Sequence, residues 1–376
     1  MDMLVSVPLV SLVFSTSPTP WSTSLNLLFF YITWSTLVLS HSSLKIEIVG
    51  ATAIRIVFWL FPSLVFLIFD TSLPALSRNI KHNGPSALPP RQARYLVKTV
   101  GLALFNLVLE TALQAAISLG FASLLKTPIF CTSTTPPLPR QMIKHIALLF
   151  TLREALTYYI HRHLLHPTGK LKPQLLNRLP SLHSQHGAHA SHFAPFSLLL
   201  KADHPVPYLL HRFTPLYLPA LALSLLHHLL HPNRPSRISI AKLLPIAGSS
   251  SSSSSNSAAP GSLHILTYLL FAALAALEET LAMSGYARIP GLLVRGAARR
   301  TALHYRSGGR GNYGAWGLLD WAHGTGVGVA GGDRDDAAGD AREDMAGRRT
   351  NLKGGNRSGV VDDVARKAAG KRRSRG

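Results

Sequence analysis

Apolar residues in this chain are gathered into long runs separated by short basic or proline-containing connectors. The runs cover Leu25 to Leu39, Ile48 to Phe69, Val100 to Leu125, Met142 to Ile160, Leu209 to Leu230 and Leu263 to Met283. A bilayer core takes roughly 20 mostly apolar residues in one helix, because a helix satisfies its own backbone groups where water is absent. The pattern therefore predicts an all-α fold, a polytopic membrane helical bundle of six spans. The first run is short, the second contains Arg55 and Pro62, and the fourth carries Arg153 and Glu154 near its end. Within the third, Asn106, Glu110 and Gln114 recur every four residues. A helix lines them along one stripe, and that stripe is expected to face protein and bond neighbouring helices. Met1 to Phe14 is apolar, but the first Lys or Arg is Lys45, so this stretch reads as part of the membrane domain and not as a cleaved signal.

Composition agrees with the runs. Of 376 residues 47% are hydrophobic and only 15% charged, against about a quarter charged in a typical soluble domain. The formal charge of +21 would suit nucleic acid, yet the cations sit between apolar runs and at the chain's end, which favours anionic lipid headgroups over nucleic acid. Cys131 is the single cysteine, which excludes an intramolecular disulfide and a thiolate cluster, so any metal here needs imidazole or carboxylate.

Three regions follow: N-terminal membrane helices over 1–140, a histidine-bearing domain over 141–326 with a serine-rich insertion at 248–261, and a basic low-complexity tail over 327–376 whose composition predicts disorder. The connector holding Arg78, Lys81, Arg91 and Arg94 is denser in cations than the one holding Lys126, Arg140 and Lys144, so it is expected on the cytosolic side. Counting six crossings onward then puts His161, and everything after Met283, on that same side.

Of the 18 histidines, a dense group lies between Tyr158 and His192. It reads His161, His163, His166, then His183, His186 and His189. Imidazole is a neutral donor of intermediate softness, and several can surround one divalent ion without the repulsion carboxylates would suffer. His163 with His166, and His183 with His186, stand three apart and share a helix face. His161 and His166 are five apart, a looser pairing that needs a helix end or a local distortion to close. The rival reading is a set of interfacial histidines bonding headgroups or capping helix ends. His204, His211, His227, His228 and His231 are scattered beside proline or inside an apolar run, and they read as structural.

These residues resemble the fatty acid hydroxylase and sterol desaturase superfamily, particularly its fungal branch, over about Leu152 to Thr325. The family's first histidine box is matched by His161 and His166. Its second, a histidine, two residues and a histidine pair, is matched by His183 and His186, with Gly187 at the last histidine position and His189 three residues beyond His186. Ser284-Gly285-Tyr286 and Pro290 are similar to the family's histidine-Ser-Gly-Tyr element, with Met283 at the histidine position. The third box is matched by His304, followed by Tyr305, then Asn312-Tyr313-Gly314, Asp320 and Gly324-Thr325.

The resemblance implies a cytosol-facing diiron site in the endoplasmic reticulum membrane, with His161, His166, His183, His186 and His304 as ligands and His163 and His189 as further candidates. It implies oxidation of a sterol, fatty acyl or sphingoid lipid with dioxygen, and electrons delivered through cytochrome b5 or its reductase. Glu278, Glu279 and Asp320 are candidates for fixing imidazole N–H groups. The rival to catalysis is a ligand-depleted member acting as a lipid-binding or scaffold protein, motivated by Gly187, Met283 and the isolated His304. Metal transport is a weaker rival, because the histidines cluster at a membrane edge and not midway through the spans.

Overall fold

A computed structural model describes residues 20–328 apart from 83, 85–87, 168, 170–173, 191–194, 231–262 and 290. The apolar start at Met1 to Phe14, the serine-rich insertion, Pro290 and almost all of the basic tail lie outside the described residues. The described residues up to Gly326 form one compact unit.

This unit is built from helices: α1 (Pro20–Ser40), α2 (Ser43–Arg55), α3 (Phe61–Ser72), α4 (Pro74–Ile80), α5 (Ala93–Leu125), α6 (Pro139–Ile160), α7 (Arg178–Gln185), α8 (Gly187–Ala190), α9 (Pro205–Tyr208), α10 (Thr214–Leu230), α11 (Ile265–Met283), α12 (Leu292–Arg306) and α13 (Leu318–Ala322). Among the described residues β-structure is limited to two isolated bridges, Lys81 with Tyr286 and Cys131 with His264. Local chemistry sets several helix starts. The Ser42 hydroxyl accepts the Lys45 N–H, and the first turns of α3, α4 and α6 each hold a proline, where its missing N–H costs nothing. The imidazoles of His204 and His264 cap α9 and α11 by accepting the N–H of Val206 and Leu266.

Among the described residues, four helical segments are long and apolar enough to cross a membrane: Ser43–Ser72, Ala93–Leu125, Pro205–Leu230 and Ile265–Met283. Leu25–Ser40 is a shorter apolar helix. Large apolar side chains such as Val57, Phe61, Val108, Leu124 and Leu229 stay exposed on these elements, as lipid-facing surfaces require. This is the build of an integral membrane protein. The six-span expectation is corrected at α6, which is helical but carries Arg140, Lys144, Arg153 and Glu154, the last two buried against protein. A side assignment counted over six crossings therefore does not carry over from the sequence.

Among the described residues, three π-turns interrupt the helices, at Ile56–Leu60, His161–Leu165 and Leu209–Phe213. Each adds one residue to a turn and widens it, a feature that recurs at functional positions. One apolar core packs Trp34, Phe130, Leu149, Tyr217, Tyr268 and Phe271 between α1, α6, α10 and α11. A second gathers Trp59, Leu107, Leu198, Leu199 and Met283 around the stretch from Pro195 to Ala202, every residue of which is buried. The stretch includes a single 3-10 turn, Ser197–Leu200, and its buried backbone groups need partners. Trp59 donates to the Ser197 carbonyl, the Ser197 hydroxyl to the Thr280 carbonyl, and the Asn106 amide to the carbonyls of Lys201 and Asp203. Asn106 does this from the stripe on α5, which faces protein as its spacing requires.

Candidate metal site

His161 follows the last residue of α6, and the backbone from there to Leu165 is a π-turn closed by the His166 N–H donating to the His161 carbonyl at 2.9 Å. In a π-turn residue i+5 sits over residue i. The five-residue spacing that fits an α-helix poorly thus puts both rings on one face, with centroids 5.0 Å apart.

His183 is buried on α7 one turn after Leu179. The chain then reverses at Gly187, whose φ of +61° is left-handed, and a Cβ there would stand 3.2 Å from the Ala202 carbonyl oxygen. Any larger residue, histidine included, is strained at this position. The reversal carries α8 back so that His189 lies 4.5 Å from His183 and 5.1 Å from His304, ring to ring. His304 comes from the last turn of α12, 4.6 Å from His161.

Hydrogen bonds fix which nitrogen of each ring faces inward. His161 Nδ1 is 3.1 Å from the Tyr313 carbonyl, His304 Nδ1 is 2.7 Å from the Gly311 carbonyl, and His183 Nδ1 is 2.9 Å from the Asp203 carboxylate. Carbonyl and carboxylate oxygens only accept, so each Nδ1 carries the proton and each Nε2 presents a lone pair. Nε2 of His161, His166 and His183 is buried with no hydrogen-bond partner. An unsatisfied buried polar atom costs about 1–3 kcal/mol, and three beside one another need a common explanation.

The candidate ligand atoms of His161, His166, His189 and His304 all lie within 4.8 Å of one another, and Nε2 of His189 and His304 are 3.4 Å apart. Two nitrogens about 2.1 Å from one ion are separated by about 3.0–3.4 Å at octahedral to tetrahedral angles. The group can hold a metal ion. Its protonation state agrees: burial, the largest cause, lowers the pKa of His166 to about 3 and of His304 to about 4, and pushes His161 and His189 down as well. Repulsion between neighbouring imidazoles adds to it. The lone pairs are available at neutral pH with no proton to displace.

Two sequence candidates stand elsewhere. His163 is exposed and stacks on Tyr159 at 6.0 Å, because the π-turn rotates it away from the face shared by His161 and His166. His186 ends α7 in an extended conformation, its Nδ1 2.9 Å from the Leu182 carbonyl and its ring against His204. Conversely His211, which the sequence places among structural histidines, is buried with its ring 4.2 Å from that of His161. The one signal for it was a His-Arg pair inside an apolar run.

The carboxylates also act differently from the sequence expectation. Glu278 and Glu279 bind Arg153 at 2.7 Å each, and Glu278 also accepts the Trp316 indole N–H. Their oxygens go to cations and an indole because α11 faces α6 there, and not to imidazole. Asp320 accepts the backbone N–H of Tyr313 and Gly314 and the Thr325 hydroxyl. It thereby shapes the loop whose Tyr313 carbonyl holds His161, which makes its effect on the ring indirect. This accounts physically for Asn-Tyr-Gly, the aspartate and Gly-Thr occurring together. Gly314 is required because a Cβ would stand 2.6 Å from the Glu154 carboxylate, and at Gly309 one would collide with the His166 ring.

No protein-family model matches this chain, and no solved structure matches it.

Proposed function

We propose that this chain is an iron-dependent membrane lipid oxidoreductase, a hydroxylase or desaturase acting on a sterol, fatty acyl or sphingoid lipid. The observation that carries the reading is the convergence of four neutral imidazoles, two buried and two half-buried, whose candidate ligand atoms all lie within 4.8 Å of one another. An all-imidazole donor set suits iron, zinc, copper or nickel alike. The choice of iron, of an endoplasmic reticulum location with a cytosol-facing site, and of cytochrome b5 or its reductase as electron donor rests on the histidine-box resemblance.

His161, His166, His189 and His304 would hold the metal, with His183 adjoining. Iron, when bound, supplies the activation of dioxygen. The protein's own contribution is orientation and exclusion of water. The Tyr313 and Gly311 carbonyls and the Asp203 carboxylate keep three rings turned inward. Buried Tyr158, Leu165 and Met283 close the surroundings. A cavity beside the histidines is lined by His161, His211 and His304 on one side and by Arg153, Glu278 and Glu279 on another. Lateral entry from the bilayer lets an apolar substrate reach such a site while water stays out.

The test is iron quantitation on detergent-purified protein reconstituted under reducing conditions. Wild type is expected to retain about one iron per chain or more, and His161→Ala to lose it. Wild-type protein that stays well below one iron per chain would falsify the oxidoreductase reading and leave the lipid-binding or scaffold role.

A further inference from the structure

His211 lies in a different part of the chain from every histidine that the box pattern names. It belongs to the π-turn Leu209–Phe213, between α9 and α10, in which the Thr214 N–H donates to the Leu209 carbonyl. The turn is held by its buried flanks, Tyr208 on one side and Phe213 on the other. His211 itself is 6% exposed, and its Nε2 is buried with no hydrogen-bond partner.

Its neighbours are the histidines of the candidate site. The ring stands 4.2 Å from His161 and 6.1 Å from His183, two imidazoles whose own Nε2 atoms are likewise buried and unpartnered. A cavity adjoins it on two sides, one bordered by His161 and His304, the other by His183 and His189. Two of the three π-turns, one on each of two segments, bring the rings of His161 and His211 to 4.2 Å, tilted by 38°.

We propose that His211 is a metal ligand, completing the imidazole set on the side of His161 and His183 where the pattern leaves Gly187 and Met283. The inference rests on the metal-binding reading above. It adds an all-nitrogen donor from the membrane-spanning segment Pro205–Leu230, so the ion is held between the peripheral turns and the bilayer helices.

The experiment uses full-length protein in detergent, stripped of metal and titrated with Co(II), whose visible absorption reports the number and type of ligands. Wild type, His211→Leu, His211→Asn, His161→Ala and His163→Ala are compared, each with its melting temperature with and without Co(II). His211→Leu is expected to bind Co(II) at least tenfold more weakly, with a changed absorption spectrum, while its metal-free melting temperature holds or rises because an orphaned nitrogen is gone. His211→Asn supplies the same comparison should the leucine variant fail to fold. His163→Ala is expected to match wild type. Wild-type affinity and spectrum in both His211 variants, with binding lost in His161→Ala, would overturn the role of His211 and leave the metal site standing. Absence of Co(II) binding in wild type would overturn both.

Discussion

Two regions of this protein bury polar side chains in quantity, and they resolve the cost in opposite ways. Around α5, Glu110 is bound by Arg55 and Lys201 and by the Tyr208 hydroxyl, while Gln114 joins Arg55 to Glu47, and Ser118 and Tyr217 complete the shell of Glu47. Cation meets anion, and donors meet acceptors. Around His161 the groups are all imidazoles, and Nε2 of His161, His166, His183 and His211 is buried without a hydrogen-bond partner. A matched network holds helices together, whereas an unmatched one of this geometry asks for an outside cation. The contrast separates the polar groups that bind the helices to one another from those whose geometry could hold a metal ion.

The sharpest way to break that contrast is Glu110→Ala. It leaves Arg55 and Lys201 as uncompensated buried cations, for a loss of about 3–5 kcal/mol, read by denaturant or thermal unfolding in detergent. The fraction that remains folded is expected to bind metal as wild type does. Lost metal binding in that fraction would show that the two regions are not separable.

Acid titration of the metal-free protein probes the other region. The folded pKa values of His166 and His304, about 3 and about 4, lie below the unfolded value of about 6.5. The unfolded chain therefore takes up protons that the folded one refuses. The stability that these neutral imidazoles contribute is complete above about pH 6.5 and falls as pH drops toward 4, by about 1.4 kcal/mol per pH unit for each ring. A His166→Gln, His304→Gln double variant should flatten the slope. A slope unchanged in that variant would place the titrating groups elsewhere.

Gly187→Ala is next in size. Forcing a Cβ into left-handed backbone against the Ala202 carbonyl costs about 1–2 kcal/mol and displaces His189, so weakened Co(II) binding accompanies the lost stability. Smallest is His186→Ala, expected to change stability by less than about 0.5 kcal/mol and metal affinity not at all. A large loss of metal there would restore His186 to the ligand set in place of His189.

Much of this arrangement was legible in the sequence, and the exceptions share a cause. The helical runs and the Asn106, Glu110 and Gln114 stripe follow from periodicity, and so does their burial. The histidine-rich stretch beginning at His161 was visible as density alone. Periodicity misleads at the π-turns, because one inserted residue rotates everything after it. It made His161 with His166 look awkward, favoured His163, and gave no reason to look at His211. It also cannot see reversal at a glycine, which substitutes His189 for His186. The side counting failed at α6, where an adequate length hid charges destined for protein contacts instead of lipid.

The buried stretch from Pro195 to Ala202 and the residue after it link the two regions, since Lys201 reaches Glu110 and Asp203 reaches His183 from the same short piece of backbone. One buried residue, Ala202, separates them. A single deletion or insertion here would put one of the two side chains out of register, so this segment should refuse indels.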